Sequence, residues 1–267
     1  MSNLKAIILG LIQGLTEFLP ISSSGHLEIG KALLGNNYQA YDSLLLTLVL
    51  HLGTALSTVF VFKKEIFEIL SSLLKLKIDY NTLFVLKIIV SMIPAVAVGI
   101  AFQQKIKILF SNNLILVGIM FLITALILYI AEDFNNKAKM VSIKNAFILG
   151  VIQAIAILPG ISRSGSTISM ALILGIDREK AAKFSFLMVL PIIFGSILKI
   201  IFDIKKTSLD IDYLSLSLGF FTAFISGIFA CKWMVTLVRK SKLINFSYYC
   251  ILVGIISIFY GLFQAKI

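Results

Sequence analysis

Charge is what this chain has least of. Only 14% of its 267 residues are Asp, Glu, Lys or Arg, against about a quarter in ordinary soluble domains. Cysteine is nearly absent too. Cys231 and Cys250 stand apart in apolar sequence, which excludes a disulfide framework, shows no metal-ligand spacing and reads as two buried thiols. Acidic residues number 13 against 24 basic ones, a net charge of +11. That excess does not point to nucleic acid, because the cations sit in short stretches between apolar runs, where membrane topology and anionic lipid account for them. What fills the chain instead is hydrophobic: 59% of it is apolar, and the mean hydropathy is +1.01. Composition therefore makes it an integral membrane protein partnered by the lipid bilayer.

Apolar runs of about 18 to 20 residues span a hydrocarbon core of roughly 30 Å. Six runs qualify, at 43–62, 83–102, 114–131, 184–202, 213–233 and 246–263. Two further apolar stretches, 4–34 and 143–175, are each broken by a Pro/Ser/Gly loop. They read as re-entrant hairpins, since irregular backbone survives at membrane depth only where protein or a wet cavity satisfies it. The first 20 residues resemble a signal peptide only superficially: the run holds Gln13 and Glu17, ends in Pro20 and is expected to stay in place. The order is hairpin plus three spans, then hairpin plus three spans. Three is odd, so the second half starts on the opposite side of the membrane. The expected fold is an all-α polytopic membrane protein, six transmembrane helices plus two re-entrant hairpins in an inverted-topology repeat. It forms one integral membrane domain over 1–267, with repeats at about 1–135 and 141–267.

Orientation follows from the cations. Lys63, Lys64, Lys75, Lys77, Lys137, Lys139, Lys144, Arg178, Lys180, Lys183, Arg239, Lys240 and Lys242 fall on one side. Lys5, Lys31, Lys105, Lys107, Lys205, Lys206 and Lys266 fall on the other. The richer side is expected to be cytoplasmic, which puts both termini and the mouth of the first hairpin on the extracytoplasmic side.

The two broken stretches carry the chemistry. A shift of 140 positions superposes Gly10 on Gly150, Gln13 on Gln153, Ser22 on Ser162, Ser24 on Ser164 and Gly25 on Gly165. In that register Ser23 falls on Arg163 and His26 on Ser166. An ionisable group at membrane depth costs about 2.5–3.5 kcal/mol on insertion scales, so Glu17, His26 and Arg163 are functional candidates. Gln13 and Glu17 lie four apart on one helical face. The loops add hydroxyls, glycines and helix N-termini, the ingredients of a phosphate cradle. Arg163 adds a permanently charged planar fork. A clamp, hydroxyls, a carboxylate and an imidazole suit phosphoryl transfer, where catalysis is mostly positioning and charge neutralisation. A buried Glu–Arg–His network that only stabilises the fold is the competing reading.

Gln13-x-x-x-Glu17, Pro20-x-Ser22-Ser23-Ser24-Gly25-His26 and Pro159-Gly160-x-Ser162-Arg163-Ser164-Gly165 resemble the two signatures of the undecaprenyl-diphosphate phosphatase family, the bacitracin-resistance phosphatases. The resemblance covers essentially the whole chain. It implies hydrolysis of a C55 polyprenyl diphosphate to the monophosphate, recycling the lipid carrier for cell-wall polymers. Glu17, His26 and Arg163 match the family's essential acid/base and clamp positions, and Ser23 its proposed nucleophile. Gln13, Ser22, Ser24, Gly25, Ser162, Ser164, Gly165, Ser166 and Thr167 are the expected substrate-binding residues. The family pattern opens on Glu or Gln, and Gln13 cannot replace the charge of a second carboxylate. No cofactor is called on this basis and no metal ligand is assigned; a divalent cation such as Mg or Ca stays open, as does a homodimer. The rival class is a secondary transporter or lipid flippase with a midplane anion site, because broken helices in inverted repeats also build transporters. His51, in the middle of the 43–62 run, reads as a packing or interhelical hydrogen-bonding residue.

Overall fold

The computed structural model describes residues 2–35, 40–75, 79–102, 113–134, 139–204, 212–240 and 242–264. Regular structure among these residues is helical, apart from one isolated bridge between Lys139 and Ile176. The first half contains α1 (Asn3–Thr16), α2 (Ser23–Leu33), α3 (Ala40–Val61), α4 (Lys63–Leu74), α5 (Tyr80–Ala101) and α6 (Leu114–Glu132). The second contains α7 (Ile143–Ile155), α8 (Arg163–Ile173), α9 (Arg178–Met188), α10 (Leu190–Ile204), α11 (Tyr213–Lys240) and α12 (Ile244–Gln264).

Among the described residues, five helices or helix pairs are long and apolar enough to cross a membrane, and six if α3 and α4 together count as one. The expected runs at 83–102, 114–131, 213–233 and 246–263 correspond to α5, α6, α11 and α12. The run at 184–202 is carried by α9 and α10, which form one stretch, Arg178–Lys199, interrupted at Val189. Pro191 follows at the second position of α10, where its missing N–H breaks the ladder locally. The run at 43–62 belongs to α3. Here the structure adds an element that hydropathy did not separate: after Val61 the chain bends by 79° into α4. Lys63, Lys64, Glu65 and Glu68 stand on α4 among Ile66, Phe67, Ile69, Leu70 and Leu73, the pattern of an amphipathic helix. Large apolar side chains on the spans face outward, among them Phe229, Phe259, Leu252 and Leu126, as a lipid-facing surface requires.

Both interrupted stretches form packed helix pairs, α1 on α2 and α7 on α8. The pairing then crosses between the halves: α1 packs on α11, α7 packs on α5, and α6 packs on α12. Small residues allow these approaches. Gly10 and Gly14 of α1 meet the backbone of α11 at Gly219, Ala223 and Gly227. Gly150 of α7 meets the backbone of Ser91 in α5, and Gly118 and Gly254 meet between α6 and α12.

Lys31, expected between apolar runs, lies instead inside a helix. Lys31 is buried on α2 (3% exposed), bonded to Glu28 at 2.9 Å and to Thr47 Oγ1 at 3.0 Å, so it says little about topology. Lys77, Lys105, Lys107, Lys137, Lys205, Lys206 and Lys266 lie outside the described residues.

Candidate active site

The two loops have nearly the same local build. Ser22 and Ser162 cap α2 and α8, each accepting from the amide three residues on, Gly25 at 3.2 Å and Gly165 at 3.0 Å. Each also lies 3.3 Å from a second serine hydroxyl, Ser24 or Ser164. An N-cap oxygen satisfies an amide that a helix start leaves orphaned. Ser22 does this at φ 68°, a left-handed conformation that a non-glycine residue adopts at a cost of about 1–3 kcal/mol and that concentrates at functional sites.

The loops also lock together. Ser164 Oγ donates to Leu19 O at 3.0 Å. Gly25 sits against the Phe121 ring and Gly160, with no room for a Cβ. From α6, Thr124 Oγ1 accepts from Ser162 N at 3.0 Å and donates to Gly160 O at 3.1 Å. Gly160 itself lies at φ 100°, which fits its close approach to Val117 O.

This bracing brings Glu17 and Arg163 into contact across 146 positions of sequence. Arg163 Nη2 donates to Glu17 Oε1 at 2.5 Å, and Nη1 donates to Ser185 O at 3.0 Å. The other carboxylate oxygen, Oε2, accepts from Ser23 Oγ at 2.6 Å and from Gln13 Nε2 at 2.9 Å. A hydroxyl at this distance from a carboxylate has the geometry that a nucleophile requires of its base. Glu17, Arg163, Thr54, Thr58 and the apolar Phe18, Ala55, Phe186, Val189 and Ile193 line one narrow cleft.

The model of the family described as bacitracin resistance protein BacA matches residues 6–256. The chain belongs to this BacA family. It is 54% identical to an undecaprenyl-diphosphatase of Christiangramia forsetii over 264 residues, 99% of this chain and all of the relative. It is 46% identical to one of Bacteroides fragilis, covering 95% of this chain and 96% of that protein. An undecaprenyl-diphosphatase of Halothermothrix orenii is 43% identical, over 97% and 98% of the two chains.

Within this BacA-family chain, not every expected site residue reaches the cleft. His26 does not line the cleft. Its Nδ1 pairs with Ser22 O and its Nε2 with Tyr249 Oη, both at 2.7 Å, and its ring stacks on Tyr249. Ser162, Ser164, Gly165, Ser166 and Thr167 are all buried. Thr167 Oγ1 pairs with Ser185 Oγ at 2.7 Å, beneath the carbonyl that holds Arg163. These residues build the loop's framework, and Arg163 is the member of its motif that lines the cleft. Ser22, Ser24 and Gly25 frame Ser23 in the same way, and Gln13 reaches Glu17 directly.

Sequence reasoning missed the polar face of α3 beside Glu17. Thr47, His51, Thr54 and Thr58 recur on α3 at steps of four, three and four, which is one helical face. His51 Nε2 lies 3.8 Å from Glu17 Oε2, and Gln13 Nε2 reaches Thr54 Oγ1 at 3.4 Å. A polar stripe at helical period inside an apolar run was the available signal.

Proposed function

We propose that this membrane protein hydrolyses undecaprenyl diphosphate to undecaprenyl phosphate and inorganic phosphate, the step that recycles the cell-wall lipid carrier and underlies bacitracin resistance. The observation that carries the reading is the joint hold on Glu17, by Arg163 from one motif and Ser23 from the other, in a chain of the BacA family. Arg163 has donors beyond the two bonds above, since a guanidinium carries five, and these can take phosphate oxygens. Ser23 Oγ attacks the terminal phosphorus and passes its proton to Glu17. The bridging P–O bond breaks, the electron pair leaves with the lipid monophosphate, and Glu17 gives its proton to that leaving oxygen and is a carboxylate again. Water then attacks the phosphoserine, Glu17 takes one of its protons, and that proton returns to Ser23 as the Oγ–P bond breaks. Phe18, Phe186, Val189 and Ile193 give the cleft an apolar side suited to the first isoprene units.

Mg or Ca would meet a partial donor set here. Gln13 Oε1 is buried without a hydrogen-bond partner among the described residues, and Glu17 supplies one carboxylate. Mg commonly binds through one or two carboxylates plus substrate phosphates, so these two residues would hold it, and it would supply charge neutralisation on the diphosphate.

The fold reading that goes with this function is an inverted repeat of about 1–135 and 141–267, with α1–α2 and α7–α8 as re-entrant hairpins. The reciprocal packing of α1 on α11 and α7 on α5 supports it. The cleft then opens on the extracytoplasmic side, opposite the cation-rich loops.

The test is phosphate release from undecaprenyl diphosphate, by purified protein in detergent and by protein in sealed right-side-out vesicles given substrate from outside. Release in both is expected. No release in detergent would overturn the phosphatase reading in favour of a transporter. Release in detergent with none in vesicles would reverse the orientation.

A further inference from the structure

Resting on that reading, we propose that His51 is a second substrate-binding donor, which grips the diphosphate on the side of Glu17 opposite Arg163. The site as described holds one permanent cation in its cleft, while the substrate brings several negative charges. The motif hydroxyls of Ser162, Ser164 and Thr167 are committed to the framework, so they cannot make up the difference.

His51 is placed to do so. Its Nδ1 lies 2.7 Å from Thr47 O. A carbonyl oxygen can only accept, so Nδ1 carries the hydrogen, and this bond fixes the ring with Nε2 toward Glu17. The Thr47 side chain is itself held by Lys31 at 3.0 Å, and Thr54 Oγ1 donates to His51 O at 3.0 Å. The ring therefore has a prepared orientation, which is what a binding group needs to avoid ordering cost. It is neither sealed in the core nor out in the open, at 22% side-chain exposure.

Glu17 sits between two basic groups, with Oε1 on Arg163 and Oε2 facing His51. At 3.8 Å, Nε2 is beyond a hydrogen bond to Glu17, and an approaching phosphate oxygen can take up its contact. From this position an N–H at Nε2 donates to such an oxygen. The ionisable groups around it are Glu17 from the α1–α2 turn, Arg163 beyond that carboxylate, and Lys31 of α2 through Thr47. His26 cannot serve in its place, because both its nitrogens are engaged on the far side of Ser22.

The experiment compares full-length wild type, His51→Ala and His51→Gln. It reads phosphate release from undecaprenyl diphosphate and, by calorimetry, the binding of inorganic pyrophosphate. His51→Ala is expected to lose about 10²-fold in kcat/KM, the usual cost of removing one donor from a developing or bound oxyanion, and to weaken pyrophosphate binding. His51→Gln keeps an N–H donor of similar reach and is expected to recover at least about tenfold of that loss. His51→Ala within about threefold of wild type in both measurements would overturn the proposal. So would His51→Gln as inactive as His51→Ala while still folded, because that result requires an imidazole and not merely a donor. Absence of activity in wild type would instead sink the phosphatase reading, leaving the pyrophosphate arm to judge His51 alone.

Discussion

In the proposed mechanism Ser23 holds the position on which the chemistry turns. It opens α2 directly after a strained cap at Ser22, and its hydroxyl lies 2.6 Å from the Glu17 carboxylate. Replacing it with alanine removes the attacking oxygen and leaves the cap intact. Ser23→Ala is therefore expected to keep its melting temperature and to lose phosphate release by about 10³-fold or more; turnover near wild type would transfer the attack to water. Glu17 and Arg163 stood out as candidates in the sequence because ionisable positions inside apolar runs have few bland explanations, and Ser23 entered through the family resemblance. His26 met the same criterion, yet its ring turned to Tyr249, a partner 223 positions away that no local pattern announces. His51 failed the criterion only because it stands alone among leucines. The face it shares with Thr47, Thr54 and Thr58 emerges when the helical period is applied to polar residues as well as to apolar ones.

At the level of elements, hydropathy located the spans but not their bends. A run of apolar residues reports length, whereas the turn of 79° between α3 and α4 depends on how Phe62 and the following amphipathic turns pack. The same limit applies to close packing between helices. Gly10 and Gly14 are spaced for a small-residue contact, but which partner they meet, Gly219, Ala223 and Gly227 of α11, is decided by tertiary structure. A Cβ on Gly14 would strike Ser226 Oγ and Ala223 O, whereas one on Gly99 of α5 would meet nothing within 4 Å. Gly14→Val is therefore expected to destabilise by about 1–3 kcal/mol, as overpacking does, with a melting temperature several degrees lower in the same detergent. Gly99→Ala is expected to stay within about 1 kcal/mol of wild type. Equal melting of the two variants would contradict the α1–α11 contact.

For the whole molecule, the account reduces to one statement: neither half contains the site. The carboxylate comes from the first motif and the guanidinium from the second. The framework that joins them, Ser164 to Leu19 and Thr124 to Gly160 and Ser162, also crosses between the motifs or ties the second to α6 of the first half. The 140-residue offset made this division visible before any coordinates. What it could not show was that the equivalence breaks at the centre, where Ser23 and Arg163 occupy matching places and converge on Glu17. Groups that act as a unit lose their effect together, so their deletions do not multiply. The most direct measurement is a double-mutant cycle on phosphate release with Glu17→Ala, Arg163→Ala and the two combined. The account predicts a loss of about 10³-fold or more in each single variant and a double variant no worse than about tenfold below the weaker single. Losses that multiply would mean that Glu17 and Arg163 act independently, and that the two halves do not share one site.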